Sequence, residues 1–462
     1  MEKYDLIVIG SGPAGERGAE QAAKFGKHVA LIEQAEYLGG AGINTGTVPS
    51  KTLRETALFF SGLQQRNLYG IDYSLKGGLS VREFMHRERI VVGNERRLVT
   101  GKIDRQGITR IHGKAAFKDA HTLTVKKERG ASELQGEIIL VATGSAPYHP
   151  LDIPFDGKLI FDSDTLLHLK RMPGTMGVLG GGVIGVEYAS IFAALGVKVT
   201  LIEGRERILS FIDAEIMERL VRQLEGIGVT FLLNEHMKRV EASEDHVTMT
   251  LEKAGRQDYD IALIAAGRQS NVEGLGLEAI GVKLGERGLV LVDEKYRTSL
   301  PHIYAAGDVI GFPALAATSS EQARVAMIHA FGKDHEERLS PVLPFAVYAI
   351  PEVSMVGKTE DECKTQNTPY VTGRGYYEDN ARGQIIGDMC GMVKLIISPS
   401  DRKLLGVHII GEQAAELIHI GAELMMLNGT IDEFVHAVYN YPTLSDLYKV
   451  AALDGLDKAS AR

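Results

Sequence analysis

The chain of 462 residues carries only two cysteines, Cys363 and Cys390. So few thiols exclude a fold built on disulfides. The plain reading is two free, buried thiols in a reducing cytosol, although a single bridge between them stays open at this level. Long apolar runs are also absent. None approaches the roughly 18 residues needed to span a bilayer, so no membrane contact is expected. The opening MEKYDLIVIG passes directly into a strand pattern, without the basic and apolar stretches of a signal peptide. A cytoplasmic location follows as the expectation. Positive charge is in deficit: 51 lysines and arginines face 60 aspartates and glutamates, a net charge of −9. That balance argues against a nucleic-acid partner, because a phosphate backbone needs a basic face. Hydrophobic residues at 44% and charged residues at 24% suit an ordinary globular protein. The length suits about three domains.

Glycine is where the sequence becomes specific. DLIVIG is a continuous apolar run of the kind that forms a strand buried on both faces. Gly10, Gly12 and Gly15 follow as G-x-G-x-x-G, with Pro13 and Ala14 inside the pattern. A helix is expected over Ala14–Phe25, stopped by Gly26, and then a strand HVALIE ending in Glu33. The three glycines serve a tight turn, a close approach of backbone to pyrophosphate, and close helix–strand packing. The pyrophosphate would sit at the helix N-terminus and Glu33 would accept from a ribose hydroxyl. The whole unit recurs at GVLGGGVIGVEYASIFAALGVKVTLIE, with Gly180, Gly182 and Gly185 as fingerprint and Glu203 at the second strand end. Two complete fingerprints imply two dinucleotide seats. Glu203 favours the 2′-hydroxyl of NAD, whereas Arg205 and Arg207 close behind it suit the 2′-phosphate of NADP or are ordinary exposed charges.

Between the two units stands Gly39 to Lys51, GGAGINTGTVPSK. This stretch resembles the redox-active loop of the pyridine nucleotide-disulfide oxidoreductases, which carries two cysteines in the pattern GGTCxNxGCxPSK. Gly42 and Thr47 occupy the two cysteine positions, so no active disulfide can form there. A long helix is expected from Pro49 into Ser61. Further resemblances follow along the chain: Ala142, Thr143, Gly144 and Ser145 as an ATG motif, Gly267 and Arg268 as a hinge, and Asp308 in a G-D motif, with Ala316 opening a helix behind it. TRIHGKAAF, HTLTVKK and EIILVATG read as strands.

The resemblance implies an α/β fold with two Rossmann-like dinucleotide-binding domains and a C-terminal α+β interface domain. The expected segments are 1–148 and 271–343 for FAD, 149–270 for NAD(P), and 344–462 for a dimer interface. It assigns Gly10, Gly12, Pro13, Ala14, Gly15, Glu33, Gly40, Thr47, Lys51, Ala142, Thr143, Gly144, Ser145, Arg268, Asp308 and Ala316 to FAD. Gly180, Gly182, Gly185, Glu203, Arg205 and Gly267 go to NAD(P). Lys51 would lie near the flavin and pair with Glu187, stabilising charge on the reduced ring. Near the C-terminus, YNYPTLSD places Tyr441 where the disulfide reductases carry a histidine base, and Asp446 where they carry its glutamate. A phenol is a poorer proton shuttle at neutral pH than an imidazole. Cysteines and base are therefore lost together.

Within the family the full-length pattern, including GTVPSK, AAGDVIGFPALA and NYPTLSDLYKVAAL, is most similar to the soluble pyridine nucleotide transhydrogenase branch. This implies hydride exchange between NADH or NADPH and NADP⁺ or NAD⁺ through FAD, with Lys51, Glu187, Thr47 and Tyr441 at the reacting centre. The alternative is a diaphorase that passes electrons to a quinone. A homodimer and no metal are expected.

Overall fold

The strand Glu2–Ile9 is the axis of the first nucleotide-binding sheet. It runs parallel to Val29–Glu33 on one side and Ala131–Val141 on the other, with Ile9 opposite Ile32 and Val141. Thr109–His112 extends the sheet beyond Val29–Glu33. In the computed structural model the described residues are 2–62, 78–332 and 337–460. Residues 1, 63–77, 333–336 and 461–462, which fall inside the expected segments 1–148, 271–343 and 344–462, lie outside them. Contacts divide the chain into two units: Met1–Thr52 with Met85–Pro150 and Ala266–Leu339, and Leu53–Phe84 with Leu151–Ala265 and Ser340–Arg462.

In the first unit both sheet faces are covered. Ile7, Ile9, Ala30 and Ile32 join one apolar cluster, while Leu6, Val8, Val29 and Leu31 join another. That is why the strand reads as an unbroken apolar run, each large side chain contributing about 1.5–3 kcal/mol by leaving water. The helix Pro13–Lys24 packs on this sheet beside the helix Ala316–Phe331. Gly18 permits the approach, since a Cβ there would lie 2.3 Å from Leu140 Cδ2. Ala131–Val141 serves two neighbours on one edge: its first residues pair antiparallel with Thr122–Lys126 and its last three pair parallel with Ile303–Ala305.

Two expectations about local structure need correction. TRIHGKAAF is not one strand but two, Thr109–His112 and Lys114–Phe117, which pair with different partners. Gly113 breaks it at φ +153°, and a Cβ there would come 2.6 Å from the Lys126 carbonyl oxygen. The stretch Gly39 to Lys51 is largely helical, with helices Gly40–Asn44 and Thr47–Ser61. The second begins two residues before Pro49, whose missing N–H costs nothing in a first turn.

The second unit repeats the parallel arrangement in the order Val229–Leu233, Lys198–Glu203, Thr175–Leu179, Ile261–Ile264, Ile160–Phe161. A three-stranded antiparallel sheet, Met237–Ala242, Val247–Leu251 and Arg256–Tyr259, stands beside it. The C-terminal segment forms a five-stranded antiparallel sheet in the order Phe345–Val347, Val353–Gly357, Leu404–Ile410, Met392–Ile397, Val371–Tyr376. Helices Ala414–Met426 and Leu447–Ser460 cover it. The architecture is therefore two Rossmann-like α/β sheets and a C-terminal α+β domain.

A buried ion cluster lies within the second unit. The Lys394 ammonium, 1% exposed, sits among three carboxylates: Asp213 at 2.7 Å, Glu215 at 3.0 Å and Glu360 at 2.5 Å. Arg374 adds a guanidinium to Glu215 at 2.9 Å. Burial works to raise the Glu215 pKa, but hydrogen bonds from Arg374 and Lys394 outweigh it and hold the carboxyl at about 2, against an ordinary 4.5. Replacing Lys394 with Met leaves Arg374 alone against three carboxylates and is expected to cost about 3–5 kcal/mol, read as a lower urea midpoint. Because the Glu215 pKa is depressed on folding, its contribution is complete above about pH 4.5 and is lost as pH falls toward 2. The urea midpoint should fall through that window, and Glu215→Gln should flatten the fall. An unaltered slope would remove Glu215 from the effect.

Candidate functional site

The first glycine turn is shaped by contacts that no side chain could survive. Gly10 has φ +100°, and a Cβ on it would lie 2.4 Å from the Ala142 carbonyl oxygen. A Cβ on Gly15 would lie 1.8 Å from the Gly10 carbonyl oxygen. These two glycines are demanded by the fold. Gly12 is different. Its φ of −66° suits any residue, and a Cβ would meet only the Gly40 Cα at 3.8 Å. Gly12 caps the helix Pro13–Lys24 without a side-chain hydrogen bond, which leaves first-turn N–H groups for an anion. Glu33 is anchored beside the turn. Its carboxylate accepts from Ser11 N at 3.0 Å, Ser11 Oγ at 2.7 Å and Ala35 N at 2.8 Å.

The second turn repeats the pattern. A Cβ on Gly185 would lie 1.9 Å from the Gly180 carbonyl oxygen, and Gly180 has φ +111°. Gly182, the helix cap, has φ −79° and nothing within 4 Å of a Cβ. Neither backbone nor packing requires glycine at 182. The space it leaves fits a ligand held against the N-terminus of Val183–Ala194. Glu203 accepts from Gly181 N at 2.6 Å and from Arg205 N at 3.0 Å. Arg205 reaches Ser210 Oγ at 3.3 Å, while Arg207 turns to Asp361 at 3.6 Å.

Around the first turn the structure gathers several of the expected residues. Asp308 accepts from Ser145 Oγ at 2.8 Å, and Ser145 Oγ in turn accepts from Arg268 Nε at 2.7 Å. Arg268 also donates to the Ser145 carbonyl at 2.7 Å. The hydroxyl of Thr143 is buried and has no hydrogen-bond partner among the described residues, as a ligand-facing group would be. Gly307 N donates to Gln322 at 2.9 Å, fixing the backbone ahead of Asp308. Gly40 lies against Gly12: a Cβ on it would come 2.7 Å from the Gly12 Cα. These features suit an extended dinucleotide, so the residues present fit FAD. Ala316 opens the helix that packs on Pro13–Lys24.

The helices of the Gly39–Lys51 stretch are held by residues the sequence did not single out. Asn44 donates to the carbonyls of Leu38 at 3.0 Å and Gly40 at 2.9 Å, and accepts from Arg96 Nε at 2.7 Å. The Arg96 guanidinium lies 3.9 Å from the centre of the Tyr37 ring. Arg96 belongs to the helix His86–Arg105, which is charged along its length, so no signal in the chain marked it. Thr47 begins the helix that carries Lys51, whose ammonium lies 3.3 Å from Ser50 Oγ. A Cβ on Gly42 would come 3.3 Å from Pro13 Cγ, so a cysteine there would sit tightly.

Glu187 belongs to the second unit. It is 4% exposed and accepts from Tyr348 N at 2.9 Å. Tyr441 is 79% exposed and precedes a cis proline, and Asp446 closes the short turn Leu444–Asp446. Cys363 and Cys390 are both unpaired. Burial pushes the Cys390 thiol well up, and the neighbouring Asp388 adds to the effect. A cavity of about 640 Å³, lined by Arg54, Arg219, Glu352, Arg382 and Cys390 among others, contains none of the expected site residues.

Fold and turns together define an oxidoreductase architecture with two dinucleotide seats. Residues 4–329 match the model of the pyridine nucleotide-disulphide oxidoreductases, and residues 343–452 match the dimerisation domain of the same group. The chain belongs to the pyridine nucleotide-disulphide oxidoreductase family. It is 44% identical to a soluble pyridine nucleotide transhydrogenase of Mycobacterium bovis, covering 100% of this chain and 99% of the relative. It is 40% identical to one of Chromohalobacter salexigens, covering 99% of each. Among solved structures, LpdA of Mycobacterium tuberculosis superposes with a TM-score of 0.90 at 26% identity, covering 98% of this chain and 99% of that one. The HOCl-induced flavoprotein disulfide reductase RclA of Escherichia coli, in its Cu(II) complex, gives 0.89 at 30% identity with the same coverage.

The two kinds of glycine separate experimentally. Gly182→Ala should fold with unchanged thermal midpoint yet bind NADH roughly tenfold or more weakly, a loss of about 1.4 kcal/mol per decade. Gly185→Ala should instead lose about 1–3 kcal/mol of stability through overpacking. Calorimetric titration and thermal unfolding of both variants would distinguish the roles. A stable Gly185→Ala and an unstable Gly182→Ala would reverse the argument.

Proposed function

We propose that this protein is an FAD-dependent transhydrogenase that carries hydride between NADPH and NAD⁺, giving NADP⁺ and NADH, without any redox-active disulfide. One observation carries the reading. The chain keeps both glycine seats and Lys51, while Gly42 and Thr47 stand where the family's thiols would be. With no dithiol to accept electrons, the nicotinamide seat is the route both in and out. Full-length similarity to the soluble transhydrogenases supports the same conclusion.

When bound, FAD supplies a two-electron carrier between one nicotinamide and the next. The chain's own residues do the rest. The N-terminus of Pro13–Lys24 would hold the flavin pyrophosphate and Glu33 the adenosine ribose. Asp308, positioned by Ser145 and Arg268, would hold the ribitol. Gly40, Ala142, Thr143, Gly144 and Ala316 would line the same seat. Gly180, Gly182, Gly185 and Gly267 would admit the nicotinamide nucleotide, with Glu203 and Arg205 at its adenosine end. Lys51 would set positive charge beside the flavin ring, and Thr47 would border it. We assign 1–148 and 271–343 to FAD, 149–270 to NAD(P) and 344–462 to a homodimer interface, and place the enzyme in the cytoplasm. No observation favours a quinone over a second nicotinamide as acceptor.

The direct test is anaerobic. One equivalent of NADPH should bleach the bound flavin, and thio-NAD⁺ added alone should restore it with stoichiometric formation of reduced thio-NAD. If thio-NAD⁺ stays oxidised while a quinone restores the colour, the assignment fails. Lys51→Met should lower kcat by on the order of 10²-fold while leaving nucleotide affinity near wild type, since an electrostatic stabiliser acts on the reacting state. Stopped-flow reduction with titrated binding would separate the two quantities.

A further inference from the structure

At the carboxyl ends of two neighbouring strands in the second unit, Lys198–Glu203 and Val229–Leu233, the chain builds a wall that the glycine fingerprint does not explain. The wall is tied by backbone bonds: Glu235 N donates to the Glu203 carbonyl at 3.0 Å and Asn234 N to the Arg205 carbonyl at 2.9 Å. Glu235 is 4% exposed. Its carboxylate accepts from the backbone N–H groups of His236 at 3.0 Å, Lys253 at 3.0 Å and Ala254 at 2.9 Å. A buried carboxylate spent wholly on backbone donors holds the turn at 234–236 in one conformation.

That turn delivers one side chain to the seat. A Cβ on Gly204 would lie 2.8 Å from His236 Cε1 and 3.1 Å from Nδ1. Only glycine at 204 therefore lets the imidazole lie against the backbone between Glu203 and Arg205. The residue is exposed, and its ring nitrogens have no hydrogen-bond partner among the described residues. An exposed imidazole in this position, without a protein partner, has a ring N–H available to a ligand.

The chemistry of the seat says which one. Glu203 suits a ribose 2′-hydroxyl, which can donate to it, and repels a 2′-phosphate. A phosphate monoester brings up to two negative charges, and Arg205 offers a single guanidinium against them. Arg207 is engaged with Asp361. We propose that His236 is a specificity-determining residue that donates to the 2′-phosphate of NADP(H) together with Arg205, and that NAD(H) does not require it. This rests on the reading that the second fingerprint serves both nucleotides.

The holoenzyme provides the test, by calorimetric titration with adenosine 2′,5′-bisphosphate and with 5′-AMP. His236→Ala should weaken the bisphosphate roughly tenfold, the scale of one hydrogen bond to a charged group, and leave 5′-AMP unchanged. The KM for NADPH should rise by a similar factor with kcat unchanged, and the KM for NADH should stay put. His236→Gln keeps an N–H donor and should recover most of the affinity, which a merely structural role would not produce. An equal loss for both ligands, as from stacking on adenine or loosening of the turn, overturns the proposal. So does a His236→Ala protein that matches wild type with both. A wild type that holds 5′-AMP, rejects the bisphosphate and leaves NADPH unoxidised overturns the functional reading, and this proposal with it.

Discussion

The contact on which both nucleotide seats depend is the burial of a glycine carbonyl under the first helical turn that follows it. The Gly10 oxygen lies where a Cβ of Gly15 would be, and the Gly180 oxygen stands in the same relation to Gly185. This approach draws each helix N-terminus close above its strand. The cap glycine then leaves uncapped N–H groups beyond it, Gly182 facing open space and Gly12 meeting only the Gly40 Cα. A helix end left without side-chain partners is costly unless an anion or water satisfies it. The two turns are accordingly sites in which the fold has withheld its own hydrogen-bond acceptors.

Carboxylates complete each seat by binding backbone. Glu33 holds the Ser11 amide, Glu203 holds that of Gly181, and Glu235 holds the adjacent His236 amide together with those of Lys253 and Ala254. Each shapes a loop through N–H groups that carry no side-chain identity. The cluster around Lys394 works by the opposite principle. There an ammonium fills the position between three carboxylates, so the acids neutralise a charge and are closed to a cation. Similar residue types thus serve recognition in one place and cohesion in another, according to whether a lysine reaches them.

Loss of the two thiols has a local physical setting. The helix Gly40–Asn44 is fixed by Asn44, Arg96 and the Gly40–Gly12 approach, none of which involves residues 42 or 47 directly. The stretch therefore keeps its shape without a disulfide. Family membership describes this scaffold and its two nucleotide seats, while the disulphide in the family's name describes chemistry for which Gly42 and Thr47 supply no thiols.

The chain by itself determined the two βαβ units, their glycine roles and their terminal acids, because a tight turn and a close helix approach leave a local pattern that side-chain spacing records. It also determined that the redox thiols are missing, which needs only residue identity. It did not reveal that TRIHGKAAF splits at Gly113, since the cause is the Lys126 carbonyl on the neighbouring strand Thr122–Lys126. Arg96 and His236 were equally hidden. An arginine in a charged helix and a histidine ahead of a strand carry no pattern of their own; each acquires a role only when folding sets Asn44 or Gly204 beside it. Contacts made within one turn or helix can be read from spacing, while those closed between separate elements are decided by the packing of sheets and turns.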